Sequence, residues 1–75
     1  MKVLLFGMLT EVIGANRIEI ENCSNVDTLK IKLMNNFPLL EKYKFTLAVN
    51  NQIITESIEL NEHDTIALLP PFAGG

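Results

Sequence analysis

The chain lacks almost everything that side-chain catalysis or metal binding requires. Its 75 residues include one cysteine, Cys23, and one histidine, His63. A lone cysteine closes no internal disulfide, and no second ligand stands near it at metal-site spacing. It reads as a small core or edge residue in a chain of the reduced cytoplasm. His63 lies between Glu62 and Asp64 and reads as a solvated turn residue rather than an acid–base group. Glu11, Asp27 and Glu56 have no evident pairing, whereas a carboxylate dyad needs two acids held against each other. No glycine-rich phosphate cradle is present. Six Lys and Arg against nine Asp and Glu leave a net charge of −3, with the basic residues scattered, so there is no footprint for nucleic acid. No stretch approaches the ~20 apolar residues that span a bilayer. Residues 3–9 are apolar but few, Glu11 follows at once and no small-residue cleavage site appears, so no signal peptide is expected. Linkers, repeats and low-complexity segments are absent too.

What is there is hydrophobic pattern. The length fits one domain spanning 1–75, and chains of this size bury only about 60–65% of their unfolded surface. The mean hydropathy of +0.24 is high for so small a domain, which points to an exposed apolar patch of the kind that marks a partner surface. Residues 2–8 are apolar at both parities and predict a strand covered on both faces, hence central in its sheet. Residues 9–14 make one or two helical turns with Gly14 as the stop. Ile18 and Ile20 alternate with Arg17, Glu19 and Glu21, as in a half-buried strand. Ser24 or Asn25 caps the next element. In that element Val26, Leu29, Leu33 and Phe37 recur at helical spacing, flanked by Ile31 and Met34, until Pro38 stops it. Residues 39–43 form a short turn or helical piece. Phe45, Leu47 and Val49 mark a third strand, Asn50-Asn51 a turn, and residues 52–55 a brief edge strand. Ile58 and Leu60 are expected as core anchors in an irregular stretch. Residues 61–64 form a polar turn, and residues 65–69 the last strand.

The order β-β-α-β-(β)-β with a single main helix allows that helix to cover one face only. The second strand returns beside the first as a hairpin, and the last fills the first strand's other side, parallel to it. This is an α+β fold of β-grasp (ubiquitin-like) type: a mixed sheet of four to five strands with one main helix across one face. The topology leaves residues 70–75 projecting as a tail from a central strand.

That tail, Pro70-Pro71-Phe72-Ala73-Gly74-Gly75, is the most informative segment. The two prolines favour an extended polyproline conformation, so little entropy is lost when the tail enters a partner. Gly74 and Gly75 lack a Cβ and suit a narrow active site. With no side-chain constellation available, the chemistry falls to the Gly75 carboxylate. A carboxylate is a poor electrophile, but adenylation makes it a mixed anhydride open to sulfur or nitrogen nucleophiles. Sulfide then gives a thiocarboxylate, a nucleophilic sulfur carried on a swinging arm.

These features resemble the small, sulfur-carrier subunits of molybdopterin synthase, within the ubiquitin-like sulfur carriers. The resemblance runs over nearly the whole chain. It rests on Val3-Leu4-Leu5-Phe6-Gly7-Met8-Leu9-Thr10-Glu11-Val12-Ile13-Gly14, on Ala48-Val49-Asn50, and most specifically on the Pro-Pro-x-x-Gly-Gly ending of residues 64–75. Two positions depart from the family: Thr10 stands where Arg is usual, leaving any ion pair of that Arg without a counterpart, and His63-Asp64 replaces Gly-Asp. The resemblance implies a chain that is not an enzyme on its own, binds no cofactor or metal itself, and is loaded at Gly75. An adenylyltransferase of ubiquitin-activating type would use ATP, and a sulfurtransferase would supply sulfur. Insertion of Pro70 to Gly75 into the large, catalytic subunit of molybdopterin synthase would then pass sulfur to cyclic pyranopterin monophosphate, within a heterotetramer. Two other roles remain open: the sulfur carrier of thiamine-thiazole synthesis, whose tails generally lack Pro-Pro, and a ubiquitin-like protein modifier. An interaction module with an idle tail is the bland alternative. Strand parity sets Leu69 opposite to Ile66 and Leu68, on the sheet face away from the helix, where Phe6 and Ile53 can join it. The resemblance puts subunit contacts at these three positions.

Overall fold

A computed structural model describes residues 1–71 of the chain. Five strands form one mixed sheet in the order β2-β1-β5-β3-β4. The elements follow as β1 (Lys2–Leu5), α1 (Leu9–Ile13), β2 (Arg17–Glu19), α2 (Val26–Asn36), a 3₁₀ turn (Pro38–Lys42), β3 (Thr46–Val49), β4 (Gln52–Ile54) and β5 (Thr65–Leu69). β1 pairs antiparallel with β2 and parallel with β5, and β5 pairs antiparallel with β3. With one helix across one face of this sheet, the architecture is the β-grasp expected from the element order.

α2 begins where Asn25, in extended conformation, accepts a 2.8 Å hydrogen bond from the Thr28 amide through its side chain. It ends before Pro38, whose ring cannot continue the helix. Val26, Leu29 and Leu33 of α2 bury against Val3 and Leu5 of β1, Ile66 and Leu68 of β5, and Leu47 and Val49 of β3. Each fully buried aliphatic side chain stabilises the fold by about 1.5–3 kcal/mol relative to exposure. Cys23 is a buried member of this core, and Ile31 turns to solvent on the helix's outer side.

Two expectations need correction. The first strand is shorter than residues 2–8 and is covered on one face only. Gly7 adopts φ +60°, which turns the chain out of the sheet into α1, so Phe6 and Met8 are exposed. The last ladder bond runs from the Phe6 amide to the Leu68 carbonyl, 3.2 Å. The second correction concerns Ile58, whose side chain is 39% exposed and anchors no core. Its backbone does the anchoring: the Ile58 carbonyl accepts from Val26 N–H at 3.0 Å, and Leu60 N–H donates to the Ser24 carbonyl at 2.9 Å. This short pairing, with Asn25 opposite Glu59, ties the irregular stretch to the start of α2. Leu60 is buried.

Candidate functional site

The sheet face away from α2 is where the described residues converge. Because side chains alternate along a strand, the register sets one residue from each of four strands in a row: Leu4 opposite Ala67, Ala67 opposite Ala48, and Ala48 opposite Ile53. The two alanines make a low floor. Leu4 and Phe6 rise on one side of it, Ile53 on the other, and Leu69 stands near the end of β5, forming a groove of about 290 Å³ completed by Asn51 and Thr65. Phe6 is 45% and Ile53 50% exposed, so neither is core. Phe6, Ile53 and Leu69 thus share one surface. Leu4, Ala48 and Ala67, also part of it, were not picked out from the sequence, although the parity that selected Leu69 selects them too. A larger depression of about 610 Å³ lies over α2, β3 and β4, but it carries Asp27, Lys30 and Glu56 and contains no residue of β1 or β5.

The root of the tail lies beside this groove. β5 ends at Leu69, and Pro70 is half-buried against the Gly7 turn, while Pro71 is exposed. A Cβ placed on Gly7 would lie 2.6 Å from Pro70 Cγ, so only glycine lets the proline ring lie this close to the backbone. Thr10, standing where its relatives were expected to carry Arg, donates its hydroxyl to the Gly7 carbonyl at 2.8 Å and braces the same turn. Pro70 therefore belongs to the body, where projection was expected from residue 70. Phe72, Ala73, Gly74 and Gly75 lie outside the described residues.

At the groove's far end the chain reverses through Asn50 and Asn51, with φ of 51° and 70°. Both values are left-handed, as a two-residue hairpin turn between β3 and β4 demands, and asparagine tolerates them. The Asp64 carboxylate accepts from Asn50 Nδ2 and from the Asn61 amide, each at 2.8 Å. These two donors hold its pKa below the usual aspartate value. Elsewhere, Lys32 Nζ lies 2.9 Å from Glu21 and lowers that carboxyl's pKa, a solvent-exposed pair of little energetic weight. His63 is exposed, 3.4 Å from Glu62. Cys23 Sγ donates to the Glu21 carbonyl. Neither faces the groove.

A mixed five-strand sheet with one main helix across one face is the ubiquitin-like, β-grasp class of fold. The chain belongs to the ThiS family, whose model matches residues 3–75. It is 33% identical over 78 residues to a molybdopterin synthase sulfur carrier subunit of Arabidopsis thaliana, covering 99% of this chain and 81% of the relative. Among solved structures it is similar to the small archaeal modifier protein 1 of Methanosarcina acetivorans, with TM-score 0.80, 26% identity and coverage of 99% and 94%. It is also similar to a chain in the complex of subunits 1 and 2 of the molybdopterin-converting factor of Helicobacter pylori, with TM-score 0.73, 25% identity and coverage of 99% and 96%. Among the described residues no helix is long and apolar enough to cross a membrane.

Proposed function

We propose that this chain is the sulfur carrier of molybdopterin synthesis and that Gly75 is its point of loading. The Gly75 carboxylate attacks the α-phosphorus of ATP on an adenylyltransferase of ubiquitin-activating type, and pyrophosphate leaves. A sulfur nucleophile at the oxidation level of sulfide, supplied through a sulfurtransferase, attacks the acyl carbon and displaces AMP, leaving a thiocarboxylate. Pro71 to Gly75 then enter the large subunit, with Pro70 held on the body, and sulfur passes to cyclic pyranopterin monophosphate. The chain's own contribution is a rigid body, a docking face and an arm. The observation that carries this reading is the placement of Leu4, Phe6, Ile53 and Leu69 around one groove at the root of the tail. The sulfur-carrier relatives support it, and the structure in which a similar subunit stands in complex with subunit 2 supports a large-subunit partner.

The test has two parts. Incubation with the adenylyltransferase, ATP and a sulfur source should exchange one oxygen of the terminal carboxylate for sulfur, read by intact-mass spectrometry, and deletion of Gly75 should abolish the product. Leu69→Glu should keep the fold and weaken binding to the large subunit by at least about tenfold, as a charge forced into an apolar contact does. Unchanged binding of the folded variant would reject the docking face.

A second reading, protein modification, is favoured by the likeness to a small archaeal modifier protein. There the activated Gly75 carbon is attacked by a lysine amine and forms an isopeptide. Gly75-linked adducts on cellular proteins, with no thiocarboxylate pool, would select it.

A further inference from the structure

We propose that Asn50 and Asp64 are positioning residues for the docking groove, clasping the β3–β4 turn to the start of β5 so that Asn51 and Ile53 are held at a fixed distance from Leu69. The proposal rests on the groove being the large-subunit surface. Three hydrogen bonds join the two segments, and a fourth fixes Asp64 within its own turn. Asn50 N–H donates to the Thr65 carbonyl at 2.9 Å, and Thr65 N–H donates to Asn50 Oδ1 at 3.0 Å. Asn50 Nδ2 donates to Asp64 Oδ1, and Asp64 Oδ2 accepts from the Asn61 amide, each at 2.8 Å. Asn50 thus spends both ends of its side-chain amide on the opposite segment, and Asp64 one oxygen on Asn50 and the other on its own turn.

The groove needs this. β4 is an edge strand of three residues, paired on one side only, and its Ile53 is half exposed. Ile54 packs against the core from this strand, but the groove-facing Ile53 does not, so its placement rests on the backbone of β4 and its turn. The opposite wall is built on β1 and β5, paired over four residues. Thr65 is part of the groove and also the clasp's backbone partner, so the bonds that fix the turn join the two walls directly. The left-handed backbone at Asn50 and Asn51 is the conformation the clasp selects.

The test measures sulfur transfer by the loaded full-length carrier as a function of its concentration over the large subunit. Asn50→Asp sets two carboxylates against each other and should raise the half-saturating concentration about tenfold, the loss of roughly one charge-assisted bond. The reciprocal exchange Asn50→Asp with Asp64→Asn swaps donor and acceptor in the 50–64 bond alone, keeps an acceptor for the Thr65 and Asn61 amides, and should restore it to within about threefold. Asn50→Gly keeps the turn's backbone and its N–H bond to Thr65 but removes both side-chain bonds of the clasp, and should also raise the half-saturating concentration should Asn50→Asp fail to fold. The saturating rate stays unchanged in all three, because Leu69 and Pro70 are untouched. The proposal is overturned if Asn50→Gly half-saturates like the parent, if the exchange does no better than Asn50→Asp, or if the loss falls on the saturating rate. Leu69→Glu separates the two levels. A parent-like Leu69→Glu defeats the docking face itself, while an impaired Leu69→Glu beside a parent-like Asn50→Gly defeats only the clasp.

Discussion

Replacing Gly7 by alanine puts the root of the tail to a direct test. Two costs add at this position. An L-residue at φ +60° carries a left-handed penalty of about 1–2 kcal/mol. The new methyl also falls 2.6 Å from Pro70 Cγ and 3.4 Å from Cδ, atoms of a stiff ring chained to the central strand. Overpacking of this kind typically costs about 1–3 kcal/mol. The smaller entropy of the unfolded alanine chain returns about 0.4–1 kcal/mol. The net loss is about 1–4.6 kcal/mol, set against the roughly 4–11 kcal/mol that a domain of this size has. At about 4–8 °C per kcal/mol, thermal unfolding followed by circular dichroism should show Tm falling by roughly 4–37 °C. Gly14 is the internal control. Its φ is +86°, yet nothing lies within 4 Å of its missing Cβ, so Gly14→Ala carries only the backbone penalty. Net of the entropy term, that is about 1.6 kcal/mol or less. Adding Pro70→Ala to Gly7→Ala removes Cγ and Cδ and should recover most of the difference. Equal losses for Gly7→Ala and Gly14→Ala, or no recovery in the double variant, would show that the Pro70 contact is not what reserves position 7 for glycine.

Other outcomes follow from the same geometry. The Asp64 pKa is held below the ordinary aspartate value in the folded chain, so its contribution to stability is complete above about pH 5 and is lost as pH falls through the folded value; urea titrations of the parent and Asp64→Asn should differ most above about pH 5 and converge in stronger acid. Leu33 is fully buried beneath the sheet, and Leu33→Ala should cost about 2–5 kcal/mol in denaturant unfolding. Cys23→Ala and His63→Ala should load sulfur at Gly75 as the parent does, by intact mass. Loss of loading in a folded Cys23→Ala variant would contradict a mechanism centred on the tail.

Where periodicity and local chemistry act alone, the sequence was enough. Ile18 and Ile20, the Asn25 cap, the Val26–Leu29–Leu33 stripe, the Asn50-Asn51 reversal and the span of β5 are all set by neighbours a few residues apart. Errors came where two distant segments meet. The end of β1 was invisible because Phe6 and Met8 continue an apolar run, and it is Gly7, backed against Pro70 from the other end of the chain, that turns it. Ile58 looked like core by its side chain, whereas its carbonyl, paired with the start of α2, has the structural role. Parity alone put Phe6, Ile53 and Leu69 on a common face. It gave no sign that Asn50, legible as a turn former, also reaches Asp64, since that bond depends on β5 lying beside β3.

β5 lies in the middle of the sheet, with four residue pairs to β1 on one side and four to β3 on the other. The bonds of both ladders run across the strand, so a pull applied beyond Leu69 acts along the strand and loads them in shear. All rungs must slip together, whereas a strand tugged sideways at a sheet edge opens one rung at a time. The body is therefore a mechanical handle for its own arm. Force on the chain beyond Leu69 is shared by the ladders on both sides of β5 at once.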